Sequence, residues 1–179
     1  MPFRLLVLLS VLALPVLPVS VAAQQHESAL SNAEIEKLRD SAPLPAERIQ
    51  VFITFLDDRT RTIQTLSSGP RKPGREQDLH DVMEQVASVA DDLNDNLDDY
   101  GPRHRDLRKV LPKLLAGTER WNSALRTPPE NEAYNVSRKL ALEAIRDVRE
   151  EATRLVEEQR AWFAAHPPGK QGPDAPEPR

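Results

Sequence analysis

The sequence predicts an all-α protein, an up-down helical bundle of four main amphipathic helices with one short helix at its N-terminal end. Apolar residues recur at steps of three and four through most of the chain, which is the spacing of one buried helix face. No segment alternates apolar and polar residues as a half-buried strand would. Most of the 16 prolines fall between the periodic segments, where they mark connections.

The first helix is predicted to begin at Ser31, because Ser31 and Glu34 have the spacing of a capping box. Leu30 and Ile35 occupy the two positions of a hydrophobic staple. The helix is short, since the proline-containing segment 42–45 ends it within about three turns.

The second and third helices each carry one apolar stripe. The second begins at Pro45, ends at 67–70, and has its stripe at Ile49, Phe52, Ile53, Leu56, Ile63 and Leu66. The third runs from about 75 to 100, before a Gly-Pro pair that terminates it. Its stripe consists of Leu79, Val82, Val86, Val89, Leu93, Leu97 and Tyr100.

The fourth helix is predicted from about 103 to 126, with Pro112 inside it, where the ring should kink or split the helix. Its stripe consists of Leu107, Leu111, Leu114, Thr118, Trp121 and Leu125. The fifth helix is predicted from about 130 to 165. Its stripe is rich in small residues and consists of Ala133, Ser137, Leu140, Ala144, Val148, Ala152, Leu155, Gln159 and Trp162.

Residues 1–23 predict a secretory signal peptide. Arg4 precedes the apolar run 5–17, and small residues at 21–23 offer a cleavage site. The alternative is that the same stretch is retained as a membrane anchor, since its length approaches that of a bilayer-spanning helix. Cleavage predicts an exported protein, periplasmic in a Gram-negative cell and otherwise extracellular.

The remainder divides into a polar leader at 24–30, the helical-bundle domain at 31–165 and a disordered Pro-rich tail at 166–179. The chain contains no cysteine, which excludes disulfides, a lipid attached through cysteine and covalent haem. Its net charge of −4 argues against nucleic acid as a partner.

Aspartates concentrate in the stretch 91–99. A calcium loop beginning at Asp92 fails, because Leu97 replaces the required glycine and Arg103 the closing glutamate. On a helix, three of these aspartates lie on the side opposite the core. We call Asp91, Asp95 and Asp98 the acidic face. It is interpreted as a solvated surface, with a weak cation site as the alternative.

Basic residues follow directly after that helix. We call Arg103, Arg105, Arg108, Lys109 and Lys113 the basic patch. In an antiparallel hairpin these cations would face the acids before Gly101, and the two sets would pair across the turn. The alternative is that the basic patch binds an anionic surface, such as lipid headgroups or an acidic partner.

No pattern for catalysis or a cofactor is present. The sequence lacks a hydrolase elbow, a phosphate loop and a zinc signature, and no histidine has a glutamate three residues before it. The Asn135-Val-Ser137 sequon lies inside a predicted helix and is interpreted as chance. We therefore expect no catalytic residues, no metal and no cofactor.

These observations favour a secreted or periplasmic, non-enzymatic bundle that acts through its surface as an interaction, scaffold or chaperone-like module. Its partner would be a protein or the envelope surface. The alternative is a carrier of a small molecule or ion in a cavity between helices, opened by the kink at Pro112.

Overall fold

A computed structural model describes residues 29–167 as five α-helices, with no strand in that range. The helices are α1 (Asn32–Ser41), α2 (Pro45–Ser68), α3 (Arg75–Tyr100), α4 (Leu111–Arg126) and α5 (Asn135–Ala165). The prediction of an all-α bundle is confirmed. The predicted signal peptide, most of the polar leader and all but two residues of the predicted tail lie outside the described residues.

Local signals in the sequence set where the first two helices begin. The Ser31 hydroxyl accepts from the Glu34 amide at 3.3 Å, and the Glu34 carboxylate accepts from the Ser31 amide at 2.9 Å. This reciprocal pair is the predicted capping box. Pro45 stands in the first turn of α2, where its missing N–H costs nothing.

Helices α2 to α5 alternate in direction. Arg48, early in α2, donates from Nε to Asn96 Oδ1 late in α3 at 2.8 Å, so these two helices are antiparallel. Glu119 in α4 pairs with Arg149 in α5 at 2.5 Å, and the start of α4 packs beside the end of α5, so that pair is antiparallel as well.

The neighbours of each helix differ from those of a simple sequential bundle. The extensively packed pairs are α3 with α5, α2 with α3, α4 with α5, α2 with α4, and α1 with α2. Helices α3 and α5 are parallel: His80 contacts Ser137 near their starts, and Gly101 approaches Leu155 near their ends. Consecutive helices α3 and α4 therefore occupy opposite corners of the bundle.

The chain crosses this diagonal in the segment 101–110, which we call the crossover. The predicted start of the fourth helix at Arg103 is wrong, because α4 begins at Leu111. The predicted kink is also absent, since Pro112 lies in the first turn of α4, where no hydrogen bond is lost. Upstream of this first turn, residues 101–110 form turns and irregular structure instead of a helix.

The side chain of Gln159 on α5 fixes the crossover. Its Nε2 donates to the Arg105 carbonyl at 2.7 Å, and its Oε1 accepts from the Leu107 amide at 3.0 Å. Gln159 is only 3% exposed, so these bonds form away from water. They satisfy two backbone groups that the crossover cannot pair through regular structure.

The predicted stripes of α2, α3 and α4 are buried, apart from Leu66, which is half-buried. The stripe of α5 is partly wrong: Ala133 lies before the helix, Leu140 is 50% exposed, and Ala141 and Ile145 are buried instead. Because α5 packs against both α3 and α4, its buried face is wider than one stripe and is rotated from the predicted one.

Helix α1 is held on the bundle by an ion pair. Arg59 on α2, 8% exposed, contacts Glu34 Oε1 at 2.8 Å and Oε2 at 3.1 Å, and also donates to the carbonyls of Ala29 and Phe55. The hydrogen bond from Arg59 is the main reason that the pKa of Glu34 falls from its ordinary 4.5 to about 2.

We predict that Gln159→Leu lowers the free energy of unfolding by about 2 kcal/mol, because the Arg105 carbonyl and the Leu107 amide lose their partners in a buried site. Urea denaturation followed by circular dichroism measures this. The matched control is Gln64→Leu at an exposed position of α2, which should change stability by less than about 0.5 kcal/mol. Equal effects of the two substitutions would contradict the role given to Gln159.

We predict that Glu34→Gln removes part of the pH dependence of stability. Because the pKa of Glu34 is lowered in the folded protein, its stabilising contribution is complete above pH 4.5 and is lost as the pH falls through about 2. The difference in unfolding free energy between wild type and variant should be on the order of 3 kcal/mol at pH 7 and vanish near pH 2. Glu36→Gln, on the exposed side of α1, is the control.

Candidate functional site

All five residues of the basic patch are exposed on the crossover and the first turn of α4. The crossover is oriented by its apolar residues, since Leu107 and Val110 are buried in the core. Gln159 fixes the backbone at positions 105 and 107. The charged side chains between these anchors consequently point to solvent.

Few of these cations are neutralised. Arg103 pairs with Asp99 at 2.8 Å across the end of α3, and Arg108 pairs with Asp106 at 2.7 Å. The hydrogen bonds from Arg108 lower the pKa of Asp106. Within residues 29–167, no acid lies within 4 Å of the cationic groups of the other three members, which are Arg105, Lys109 and Lys113. The facing hairpin that pairing would need is absent, because α3 and α4 occupy opposite corners.

An aromatic cluster, which consists of His104, Trp162, Phe163 and His166, adjoins the basic patch. The Trp162 indole is stacked between the two imidazoles, with ring centroids 4.4 Å apart and planes 16° apart on each side. Phe163 meets Trp162 edge-on at 4.8 Å, and the Arg108 guanidinium lies 3.8 Å from the Phe163 centroid. Cations and aromatic faces therefore share one end of the bundle.

The apolar periodicity of the fifth helix did not predict this cluster, because it placed Trp162 on the core stripe. Trp162 and Phe163 are both only half-buried. The available signal was their adjacency, since neighbouring residues lie about 100° apart on a helix and two such rings cannot both fill one narrow stripe. At least one of the two rings therefore had to lie outside the core stripe, partly at the surface.

His104 has a positive φ of 51°, a left-handed conformation that histidine adopts more readily than most residues. This conformation turns its imidazole onto the indole of Trp162. On the other side, His166 Nδ1 lies 2.9 Å from the Trp162 carbonyl at the end of α5. The local backbone at 104 and the end of α5 together hold the sandwich.

A groove runs beside the aromatic cluster, between the start of α4 and the end of α5. Its volume is about 460 Å³. Apolar side chains form most of its wall, and two arginines flank it. The lining residues are Arg108, Leu111, Pro112, Val156, Arg160, Phe163 and Ala164.

The three aspartates of the acidic face are exposed, but two of them border α5 rather than open solvent alone. Burial and then the charges of Asp92, Asp95 and Asp147 raise the pKa of Asp91. Burial and Glu151 raise the pKa of Asp98, against the opposing effect of Arg154. Within residues 29–167 no group of three or more His, Asp or Glu side chains is arranged to hold a metal ion.

One constellation has the residue types of a hydrolase triad. Ser137 Oγ lies 3.2 Å from His80 Nδ1, and His80 Nε2 lies 3.3 Å from Glu84 Oε1. His80 is half-buried between these two contacts. Ser137 is 1% exposed and its hydroxyl also donates to the Tyr134 carbonyl at 3.1 Å, so a substrate has no access to it. The contact is interpreted as packing between α3 and α5.

We predict that Asp98→Asn stabilises the protein at pH 7 by roughly 0.5 kcal/mol, after allowance for solvent screening. Because the pKa of Asp98 is raised in the folded state, its charged form is disfavoured there and costs stability at neutral pH. The cost should disappear as the pH falls through that raised pKa, so wild type and variant should converge at low pH. Thermal melts from pH 3 to 7 test this, with the exposed Glu130→Gln as a control that should show no such convergence.

No helix within residues 29–167 combines the length and the hydropathy that crossing a bilayer requires. Comparisons of the chain with protein-family models, with curated proteins and with solved structures gave no match.

Proposed function

We propose that this protein is an exported, non-enzymatic helical bundle that acts through its surface, with the basic patch as its working site and the anionic surface of the cell envelope as its partner. The observation that carries the proposal is the set of cations Arg105, Lys109 and Lys113, which have no acidic partner among residues 29–167 and lie beside the aromatic cluster. The export step is supported by the sequence of residues 1–23.

The charge distribution supports an anionic partner. The chain as a whole is acidic, with a net charge of −4, yet the crossover and the first turn of α4 expose five cations and only one aspartate. A local excess of lysine and arginine is attracted to anionic lipid headgroups by about 1 kcal/mol for each residue near the membrane surface. Aromatic rings next to such cations suit the interface between headgroups and acyl chains.

The rigidity of the site supports a binding role. The crossover is fixed by Gln159, and Arg108 is held by Asp106 and by Phe163. Surfaces that are already ordered lose less conformational entropy when they bind. A carrier role would need a cavity from another source than the predicted kink, because Pro112 lies in the first turn of α4.

We predict that the chain without residues 1–23 binds vesicles that contain anionic phospholipid and that binding weakens as salt is raised. The double variant Lys109→Glu/Lys113→Glu should lower the vesicle partition coefficient at least about tenfold, since two attractive charges become repulsive. Co-sedimentation with anionic and zwitterionic vesicles measures this.

The matched control is Lys72→Glu/Lys139→Glu. Lys72 lies in the α2–α3 connection and Lys139 in the second turn of α5, both at the opposite end of the bundle, and the change in net charge is identical. Equal losses in the two double variants would show a dependence on net charge alone and would overturn the proposal. Equal binding to zwitterionic vesicles would overturn it as well.

A further inference from the structure

We propose that the groove between α4 and α5 binds a single amphipathic anion, a saturated fatty carboxylate of about ten to twelve carbons. This site goes beyond the proposed function, because it takes one dissolved molecule rather than a surface. The groove volume of about 460 Å³ lies within the range of small-molecule sites, roughly 300–1,000 Å³.

The wall of the groove suits an alkyl chain. Five of its seven lining residues are apolar: Leu111, Pro112, Val156, Phe163 and Ala164. All of them belong to helices: Leu111 and Pro112 to α4, and Val156, Phe163 and Ala164 to α5. Their side chains present an apolar surface, and an alkyl chain that lies on it has no polar group to satisfy.

Arg160 is the residue assigned to the carboxylate. Its Nη1 lies 3.4 Å from Glu157 Oε2, and both side chains are mostly exposed, at 74% and 67%. Such an exposed pair is worth little, so a ligand carboxylate can displace Glu157 at low cost. A guanidinium and a carboxylate then form two parallel hydrogen bonds.

Arg108 has a different role, because its guanidinium is already occupied. Its Nε and Nη2 donate to Asp106 at 2.9 and 2.7 Å, and its plane lies against Phe163. It therefore forms a fixed edge of the groove and does not take the carboxylate itself. We therefore expect substitution of Arg160 to weaken binding of the ligand carboxylate more than substitution of Arg108.

Two other grooves within residues 29–167 lack this combination. The groove between α2 and α3, about 520 Å³, is lined by Glu34, Asp58, Asp78 and Asp81, which repel an anion. The arginine in it, Arg59, is already occupied by Glu34. The groove under α1, about 380 Å³, contains Asp92 and Asp95. Of its two arginines, Arg48 is bonded to Asn96 and to the Leu38 carbonyl, and Arg39 donates to both carboxylate oxygens of Glu36 at 2.7 and 2.8 Å.

Isothermal titration calorimetry with decanoate below its micellar concentration tests the site, in the chain without residues 1–23. Ala164→Trp fills the groove at an exposed position and should weaken decanoate binding at least about twentyfold. Arg160→Gln should weaken it about tenfold or more, through the lost charged hydrogen bonds. Arg126→Gln, an exposed arginine at the far end of α4, should leave binding unchanged.

Two control ligands separate the contribution of the carboxylate to binding from that of the alkyl chain. Acetate should not bind, because it lacks the alkyl chain, and 1-decanol should bind at least about tenfold more weakly than decanoate, because it lacks the charge. The inference is overturned if Ala164→Trp binds decanoate like wild type, if decanol binds as well as decanoate, or if Arg160→Gln and Arg126→Gln behave alike.

Crossed measurements distinguish this site from the proposed vesicle surface. Ala164→Trp should still bind anionic vesicles, since it leaves the basic patch intact. Lys109→Glu/Lys113→Glu should still bind decanoate with at most a few-fold loss, since neither lysine lines the groove. If the wild-type chain binds decanoate but not anionic vesicles, the proposed function is refuted and the groove is not. If it binds anionic vesicles but not decanoate, the groove is refuted and the proposed function is not.

Discussion

The fold depends on how the chain crosses from α3 to α4. Because these consecutive helices lie at opposite corners of the bundle, their connection must pass over the end of the bundle with backbone groups that no regular structure pairs. One buried side chain, Gln159, satisfies two of these groups from α5. Without that bond the diagonal connection would leave polar backbone in the core, and a direct α3–α4 hairpin would be the easier solution.

The same constraint creates the candidate site. A connection anchored by Leu107, Val110 and Gln159 has its remaining side chains directed outward, and those side chains are mostly basic. A hairpin would have placed them against the acids of α3. The diagonal crossing instead brings the basic patch to the end of α5, where the aromatic rings of Trp162 and Phe163 lie.

The sequence predicted those parts of the fold that are decided locally. The Ser31 capping box and the stripes of α2 and α3 depend on neighbours in the same helix, and all three were found as predicted, except that Leu66 is half-buried. The rotated stripe of α5 and the position of Leu140 depend on which two helices flank α5, which periodicity alone does not contain. The basic patch was identified from composition, but its aromatic neighbours required the tertiary pairing of the crossover with α5.

The parallel pairing of α3 with α5 has a consequence for how the protein folds. This is the most extensive interface, yet its two helices are separated in the chain by the crossover, all of α4 and a further turn. The loop between them must close before their contacts can form, whereas α2 and α3 need only a short turn. The bundle should consequently fold more slowly than a sequential one built from the same helices, with the α2–α3 and α4–α5 pairs forming early and docking onto each other last.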